Sequence, residues 1–233
     1  MQALDTRLDQ LAHTRAGLPE RKQVAELEHE ATVVDRDLAL ARTAYQDIQG
    51  ELAKAEADVQ LVRDRAARDR ARLDAGTGTA KDLQALQHEL TSLARRQSEL
   101  EDLEIEVMER AEALEKRVGE LGTKQQALRV QLDEVQGALD ESTSTLDAEA
   151  VDVRRSRDRL VVEVGEDLLA LYDKIRTASR GIGAAELRQR RCGGCRLELH
   201  QVDLARIKAA PPDEVLRCEE CRRILVRTPE SGL

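Results

Sequence analysis

A seven-residue repeat of apolar side chains is the feature of this sequence that most constrains its fold. From Val24 to Leu73, positions spaced alternately by three and four residues are apolar at 14 of 15 sites. A second run from Leu83 to Val153 is apolar at 16 of 21 sites. Repeats this long are typical of helices that supercoil around one another and are foreign to disordered chains. The sequence therefore predicts two long coiled-coil helices.

A short glycine-containing segment separates the two repeats. Gly76 and Gly78 break the helical pattern, and Thr79 is a suitable N-cap for the helix that follows. Because a short connection between two helices makes them antiparallel neighbours, the repeats should pair within one chain. We therefore predict a coiled-coil hairpin whose tip lies at about residues 74–80.

Two changes of phase interrupt the apolar pattern. The first leucines of the chain share the spacing of the later repeat but not its phase, which changes near residues 17–20. Pro19 suits the first turn of a new helix, so we expect a kink there. After Val153 the stripe shifts again and widens over residues 160–172. A stripe this wide needs a broader partner than one helix, and we expect the folded-back C-terminal region to supply it.

Four cysteines are arranged as two CxxC pairs separated by 22 residues. Two such pairs can supply four thiolates to one tetrahedral Zn²⁺, at about 2.3 Å per bond. Structural zinc sites of this kind are closed, so no water molecule is activated there. We predict one structural zinc ion, held by Cys192, Cys195, Cys218 and Cys221.

The segments around the cysteines complete the predicted architecture. Short β-prone runs lie at residues 196–199, 215–217 and 224–226, which is the plan of a zinc ribbon. The predicted fold class is thus mainly α: a long, kinked antiparallel coiled-coil hairpin over residues 1–179, with a small C-terminal β zinc ribbon over residues 180–233.

Three alternatives to the zinc site are weaker. Two disulfides would need an oxidising compartment, but the first residues show no basic segment followed by an apolar run, and no stretch is long and apolar enough to span a bilayer. We therefore expect a cytoplasmic protein with reduced thiols. A redox CxxC is usually found in a βαβ context, which is missing here. His200 is a further candidate ligand, although four thiolates already complete the site.

Arginines give the ribbon region a mildly basic character. Residues 180–233 contain 11 Lys or Arg and 8 Asp or Glu, a difference of +3. These arginines are candidates for contacts with phosphate or with an acidic partner, but a solvated face interleaved with carboxylates is the simpler interpretation. The chain has no Trp or Phe to stack on bases. The candidate contact residues are Arg190, Arg191, Arg196, Arg217, Arg222 and Arg223.

Several motifs together resemble a known family. They are the segments 81–90 and 99–104 of the second repeat, the segment 171–176, and the two cysteine pairs with the residues that follow them. The chain resembles the bacterial family of four-cysteine zinc-ribbon proteins built on a coiled-coil hairpin. That family usually has glycine after the last cysteine, where this chain has Arg222. The use of 30 Arg against 7 Lys further suggests an actinobacterial member.

The sequence contains no pattern typical of an enzyme. It shows no Ser/His/Asp set, no P-loop and no dinucleotide fingerprint. The resemblance implies a non-enzymatic adaptor. We therefore expect a zinc-binding adaptor or chaperone-like scaffold with protein partners, no membrane association and no small-molecule substrate. The alternative is a nucleic-acid-binding protein that uses the basic ribbon.

Overall fold

Five α-helices and four short strands make up the fold in a computed structural model that describes residues 1–233. In chain order they are α1 (Gln2–Ala16), α2 (Pro19–Asp74), α3 (Ala80–Val164), α4 (Glu166–Ala178), β1 (Ala184–Arg188), β2 (Arg191–Cys192), α5 (Gln201–Ala209), β3 (Leu216–Arg217) and β4 (Ile224–Val226), followed by a 3₁₀ turn (Pro229–Ser231). The predicted fold class, a mainly α coiled-coil hairpin with a small C-terminal β region, is confirmed, while the domain boundary between residues 179 and 180 stays a prediction. None of the helices combines the length and apolar character needed to cross a bilayer. The chain divides into two compact units: residues 23–136, called the hairpin unit, and residues 1–22 with 137–233, called the ribbon unit.

The hairpin unit is an antiparallel pair of helices packed along the predicted seam. Val34 and Leu38 of α2 pack with Leu121 and Leu128 of α3 in one buried cluster. Ion pairs flank the seam at Glu30–Lys124 (2.8 Å), Glu51–Arg110 (3.3 Å) and Arg63–Glu101 (2.6 Å). These surface pairs each contribute little to stability. Their numbering falls in α3 as it rises in α2, which is the antiparallel register expected of a hairpin.

The tip of the hairpin is a five-residue loop closed by a helix cap. Gly76 and Gly78 have φ angles of +64° and +136°, which side-chain-bearing residues rarely adopt. The Thr79 hydroxyl accepts a hydrogen bond from the Asp82 amide, and the Asp82 carboxylate accepts from the Thr79 amide at 2.9 Å. This reciprocal cap satisfies amides at the start of α3, and the hydrogen bonds from the Thr79 side chain and then its backbone lower the pKa of Asp82.

In the ribbon unit, α1 is linked to the C-terminal part of α3 by polar contacts. Glu149 continues the predicted seam in sequence, but its carboxylate faces outward to Arg7 at 2.6 Å, and Ala150 is buried instead. The seam therefore changes phase before Val153. The helix itself runs on to Val164 and breaks at Gly165, where φ is +83°.

The widened stripe of α4 packs against the ribbon, as the sequence predicted. Tyr172 and Ile175 form a buried cluster with Ile224 of β4, and Met1 and Ala184 are packed against it. The contact requires glycine at position 183, because a Cβ atom there would lie 2.8 Å from the Tyr172 ring. This close approach fixes the linker between α4 and β1 against the helix.

The ribbon consists of one four-stranded sheet and a helix. The strand order is β2-β1-β4-β3, with β1 and β4 parallel and the other pairs antiparallel. Of the predicted strands, 224–226 forms in full and 215–217 forms at Leu216–Arg217, whereas 196–199 provides only an isolated bridge at Glu198. The sequence pattern predicts none of β1, β2 and α5. Leu204 and Ile207 of α5 close the ribbon core, which explains the long spacing between the two cysteine pairs.

Candidate metal centre

Two similar tight turns present the four cysteines. In each turn the amide of the residue after the second cysteine donates to the carbonyl of the first: Arg196 to Cys192 at 2.7 Å and Arg222 to Cys218 at 2.9 Å. Arg196 and Arg222 close these turns with φ angles of +67° and +61°. This left-handed conformation favours glycine. It explains why the four-cysteine zinc-ribbon family that the chain resembles usually has glycine at the position of Arg222.

The sulfur atoms of the two turns meet at one point in the ribbon. The four Sγ atoms all lie within 4.8 Å of one another. Cys192 Sγ lies 3.8 Å from Cys221 Sγ, and Cys195 Sγ lies 3.9 Å from Cys218 Sγ. Four ligands at 2.3 Å from a tetrahedral ion would be separated by about 3.8 Å, whereas disulfide sulfurs lie about 2.05 Å apart. The cysteines are free thiols whose spacing fits a zinc ion.

The surroundings of the thiols also suit metal binding. Cys192 and Cys218 are fully buried in the ribbon core, and burial raises the pKa of both thiols, that of Cys218 to about 12. Burial also acts to raise the pKa of Cys221, but hydrogen bonds from the Arg223 backbone and side chain and from the neighbouring thiols lower it to about 7. Buried thiolates without a cation would be costly. A bound Zn²⁺ provides the charge that keeps such thiols deprotonated.

No other side chain competes for the centre. His200 is exposed at the N-cap of α5 and is not among the residues grouped around the sulfurs. With four cysteines, the site is closed in the manner of a structural zinc site. The predicted cofactor, one structural zinc ion, is confirmed by this C4-type ribbon and its clustered cysteines.

The strained turn after the first cysteine pair leads to a testable prediction. Replacing Arg196, which is exposed and forms no side-chain hydrogen bond or ion pair, with glycine should relieve a left-handed conformation costing roughly 1–2 kcal/mol. The greater freedom of unfolded glycine offsets roughly 0.5–1 kcal/mol of this. We expect Arg196→Gly to raise the free energy of unfolding of the zinc-loaded ribbon by about 0.5–1 kcal/mol, measured by hydrogen exchange. Lys208→Gly, inside α5, is the control and should be destabilising. If both substitutions destabilised the ribbon equally, the left-handed conformation of Arg196 would not be strained.

Most of the candidate contact arginines bind groups of the ribbon unit itself. Arg191 lies 3.7 Å from Glu198 and Arg222 lies 3.2 Å from Glu219. Arg223 donates to the carbonyls of Ile182 and Ser179, at 3.0 and 3.1 Å, and so closes the linker after α4. Arg190 Nε and Arg217 Nε donate to backbone carbonyls. Only the side chain of Arg196 has no partner among the six.

The ribbon unit contains a buried charged cluster that the sequence patterns do not predict. Asp5 of α1 is 2 % exposed; its carboxylate accepts hydrogen bonds from Arg157 Nε and from the Tyr172 hydroxyl, both at 2.6 Å. Burial, the hydrogen bond to Asp5 and its charge all raise the pKa of Tyr172. Arg176 Nε is 3.9 Å from the same carboxylate. The sequence offers one weak sign of this cluster, which is that the acidic Asp5 directly follows the apolar Leu4.

Gln2 links the same cluster to the ribbon. Its Oε1 accepts hydrogen bonds from the amides of Gly183 and Ala184 and lies 3.2 Å from the Tyr172 hydroxyl oxygen, whose proton goes to Asp5. Its Nε2 donates to the Gly181 carbonyl at 2.9 Å. The first turn of α1 is thereby tied to the linker that precedes β1. We call Gln2, Asp5, Arg157, Tyr172 and Arg176 the polar cluster.

A coiled-coil hairpin with a closed four-cysteine centre defines a class of protein, the zinc-ribbon scaffold. The chain belongs to the CT398-like coiled coil hairpin family, whose model matches residues 1–180, and a C4-type zinc ribbon domain model matches residues 191–225. The predicted family is thereby confirmed.

Similar proteins occur in actinobacteria, as the arginine-rich composition suggested. An uncharacterized protein of Mycobacterium tuberculosis is 40% identical over 224 residues, covering 96% of this chain and 91% of the relative. A solved structure from Mycobacterium smegmatis is 38% identical, with a TM-score of 0.81 over 97% of this chain and 94% of that one. CT398 from Chlamydia trachomatis is 17% identical, with a TM-score of 0.65 over 97% and 94% of the two chains, and shows the shared fold alone.

Proposed function

We propose that this zinc-binding scaffold is a non-enzymatic cytoplasmic adaptor, with a chaperone-like role, that binds protein partners through its coiled coil and ribbon. In this proposal Cys192, Cys195, Cys218 and Cys221 are the zinc ligands. Four thiolates leave the ion no position for water or substrate. The matching families are a coiled-coil family and a zinc-ribbon family, which also favours function through surfaces rather than through catalysis.

The observation that carries the proposal is that the ribbon surface combines engaged arginines with exposed aliphatic side chains. Most of its arginines are held in place by carboxylates or by backbone carbonyls, so few guanidinium groups are free to reach along a phosphate backbone. Large aliphatic side chains are exposed on the same region, and Val202 is 81 % exposed and Leu197 51 % exposed. Apolar side chains beside satisfied charges suit a protein surface better than a nucleic acid. This favours a protein partner over the nucleic-acid alternative.

In-cell photo-crosslinking tests the proposal. A photoreactive residue at Leu197 or Val202 should capture one protein that binds the purified, zinc-loaded chain again, and capture should disappear when Cys192 and Cys195 are serine. The same residue at Gln60, on the exposed surface of α2, distinguishes partners of the coiled coil from partners of the ribbon. Recovery of RNA or DNA alone, with binding that weakens steeply with salt, would overturn the proposal in favour of a nucleic-acid-binding protein.

A further inference from the structure

A small groove separates α4 from the second cysteine turn. It encloses about 250 Å³. Its floor is apolar and comes from the face of α4 that turns toward the ribbon, and its rim carries three cationic side chains. We call it the knuckle groove. The floor residues are Leu171, Ile175 and Ala178, the rim residues are Lys174, Arg217 and Arg222, and Ser179 and Cys221 complete the lining.

Two of the rim cations have no carboxylate partner. Lys174 is exposed on α4 and makes no ion pair or side-chain hydrogen bond. Arg217 donates from Nε to the Arg222 carbonyl at 2.9 Å, which leaves its two Nη groups without a partner. Arg222 is bound to Glu219, which Arg206 also contacts at 2.5 Å. Because Glu219 has this second partner, Arg222 can turn to a ligand at small cost.

Two acceptors beside the groove, the Cys221 sulfur and the Ser179 carbonyl, are bound by a different arginine. Arg223 hydrogen-bonds the Cys221 sulfur and also donates to the Ser179 carbonyl at the end of α4. Neither Lys174 nor Arg217 makes either of these hydrogen bonds. Lys174 and the Nη groups of Arg217 are therefore bound by neither acceptor, and both can reach a ligand in the groove.

We propose that the knuckle groove binds an acidic segment of a protein partner, with an aliphatic side chain on the floor and carboxylates against Lys174, Arg217 and Arg222. This inference rests on the proposed adaptor function and names the surface and the chemistry of the partner. Guanidinium groups bind carboxylates with charge-assisted hydrogen bonds. An apolar floor without an aromatic ring suits Leu or Ile and gives a nucleobase nothing to stack on.

Fluorescence anisotropy with defined probes tests the knuckle groove. The protein is the full, zinc-loaded chain, and the probe is a labelled synthetic peptide of repeating Glu-Glu-Leu. Lys174→Glu should weaken its binding about tenfold or more, since it both removes a rim cation and adds a repelling charge. Lys208→Glu makes the same charge change on α5 outside the groove, at an exposed residue without an ion pair, and should leave the affinity within about twofold. A peptide with Ser for Leu should bind about tenfold more weakly than the parent probe.

The remaining outcomes decide against the inference. If Lys174→Glu and Lys208→Glu weaken peptide binding equally, the attraction is diffuse and the knuckle groove is not the site. If an RNA oligonucleotide of the same length binds more tightly than the peptide and is lost with Lys174→Glu, the groove serves nucleic acid instead. If a partner captured at Leu197 still binds the Lys174→Glu protein at full affinity, the adaptor function is supported and the knuckle groove is not its binding site.

Discussion

Replacing Cys218 and Cys221 with serine will unfold the ribbon and abolish zinc binding. Two thiolates cannot hold the ion in a tetrahedral structural site, and the binding free energy of structural zinc is also folding free energy, about 10–16 kcal/mol in zinc-finger peptides. That is as large as the whole stability of a small domain. Because positions 192 and 218 are fully buried in the ribbon core, losing the ion also leaves the Cys192 thiol and the new serine hydroxyl at 218 without a metal partner inside it. Metal analysis should fall from about one zinc per chain to none, with loss of amide protection in β1 and β4.

Glu220→Ser provides the matched control for this experiment. Glu220 lies between the two cysteines of the same turn, is exposed and makes no ion pair, so the substitution changes the turn without touching a sulfur. Zinc content and amide protection should stay at the wild-type level. A serine double variant that keeps its ribbon protected without metal would refute a structural role for zinc.

Asp5→Ala should destabilise the ribbon unit by about 3–5 kcal/mol, the usual cost of removing one partner from a buried ion pair. The substitution leaves the Tyr172 hydroxyl, in a residue 4 % exposed, without its 2.6 Å acceptor, and it leaves Arg157 with only the exposed Asp173 at 3.5 Å. Urea unfolding followed by hydrogen exchange in α1 and α4 measures the effect. The loss should appear in those helices before it appears in the hairpin unit.

Asp9→Ala tests whether burial is the cause. Asp9 lies one turn further along α1 and binds Arg176 at 2.6 Å, but its side chain is 54% exposed. Exposed pairs contribute about 0–1 kcal/mol, so this change should cost far less than Asp5→Ala. Equal losses from the two substitutions would show that the polar cluster acts as ordinary surface charge.

The long-range plan of the fold could be predicted because its signals are repetitive. Heptads over many turns, two glycines in one short segment and two CxxC pairs each point to one structure, and together they gave the hairpin and the zinc ribbon. Short elements carry no such redundancy. α5 offered only Leu204 and Ile207 at helical spacing, and β1 owes its strand conformation to pairing with β4, which a local pattern cannot reveal.

The candidate site shows the same division. The four cysteines could be identified from spacing because the ion dictates ligand type and geometry. The polar cluster could not, since Asp5 meets Arg157 and Tyr172 only after segments more than 150 residues apart have come together. A strict heptad continued from Leu83 to Val153 predicts that Glu149 lies in the seam. The structure buries Ala150 instead, since a carboxylate without a partner is costly to bury and Arg7 offers one outside.

The hydrogen bonds between Gln2 and the Gly181–Ala184 segment have a consequence for synthesis of the chain. About 180 residues separate these partners, and translation at about 5–20 residues per second would need on the order of 10–30 s to reach the second from the first. During that interval α1 has left the ribosome while α4 and β1 do not yet exist. The ribbon unit is therefore the last part of the protein to mature, and shortening the chain at either end would leave it unfinished.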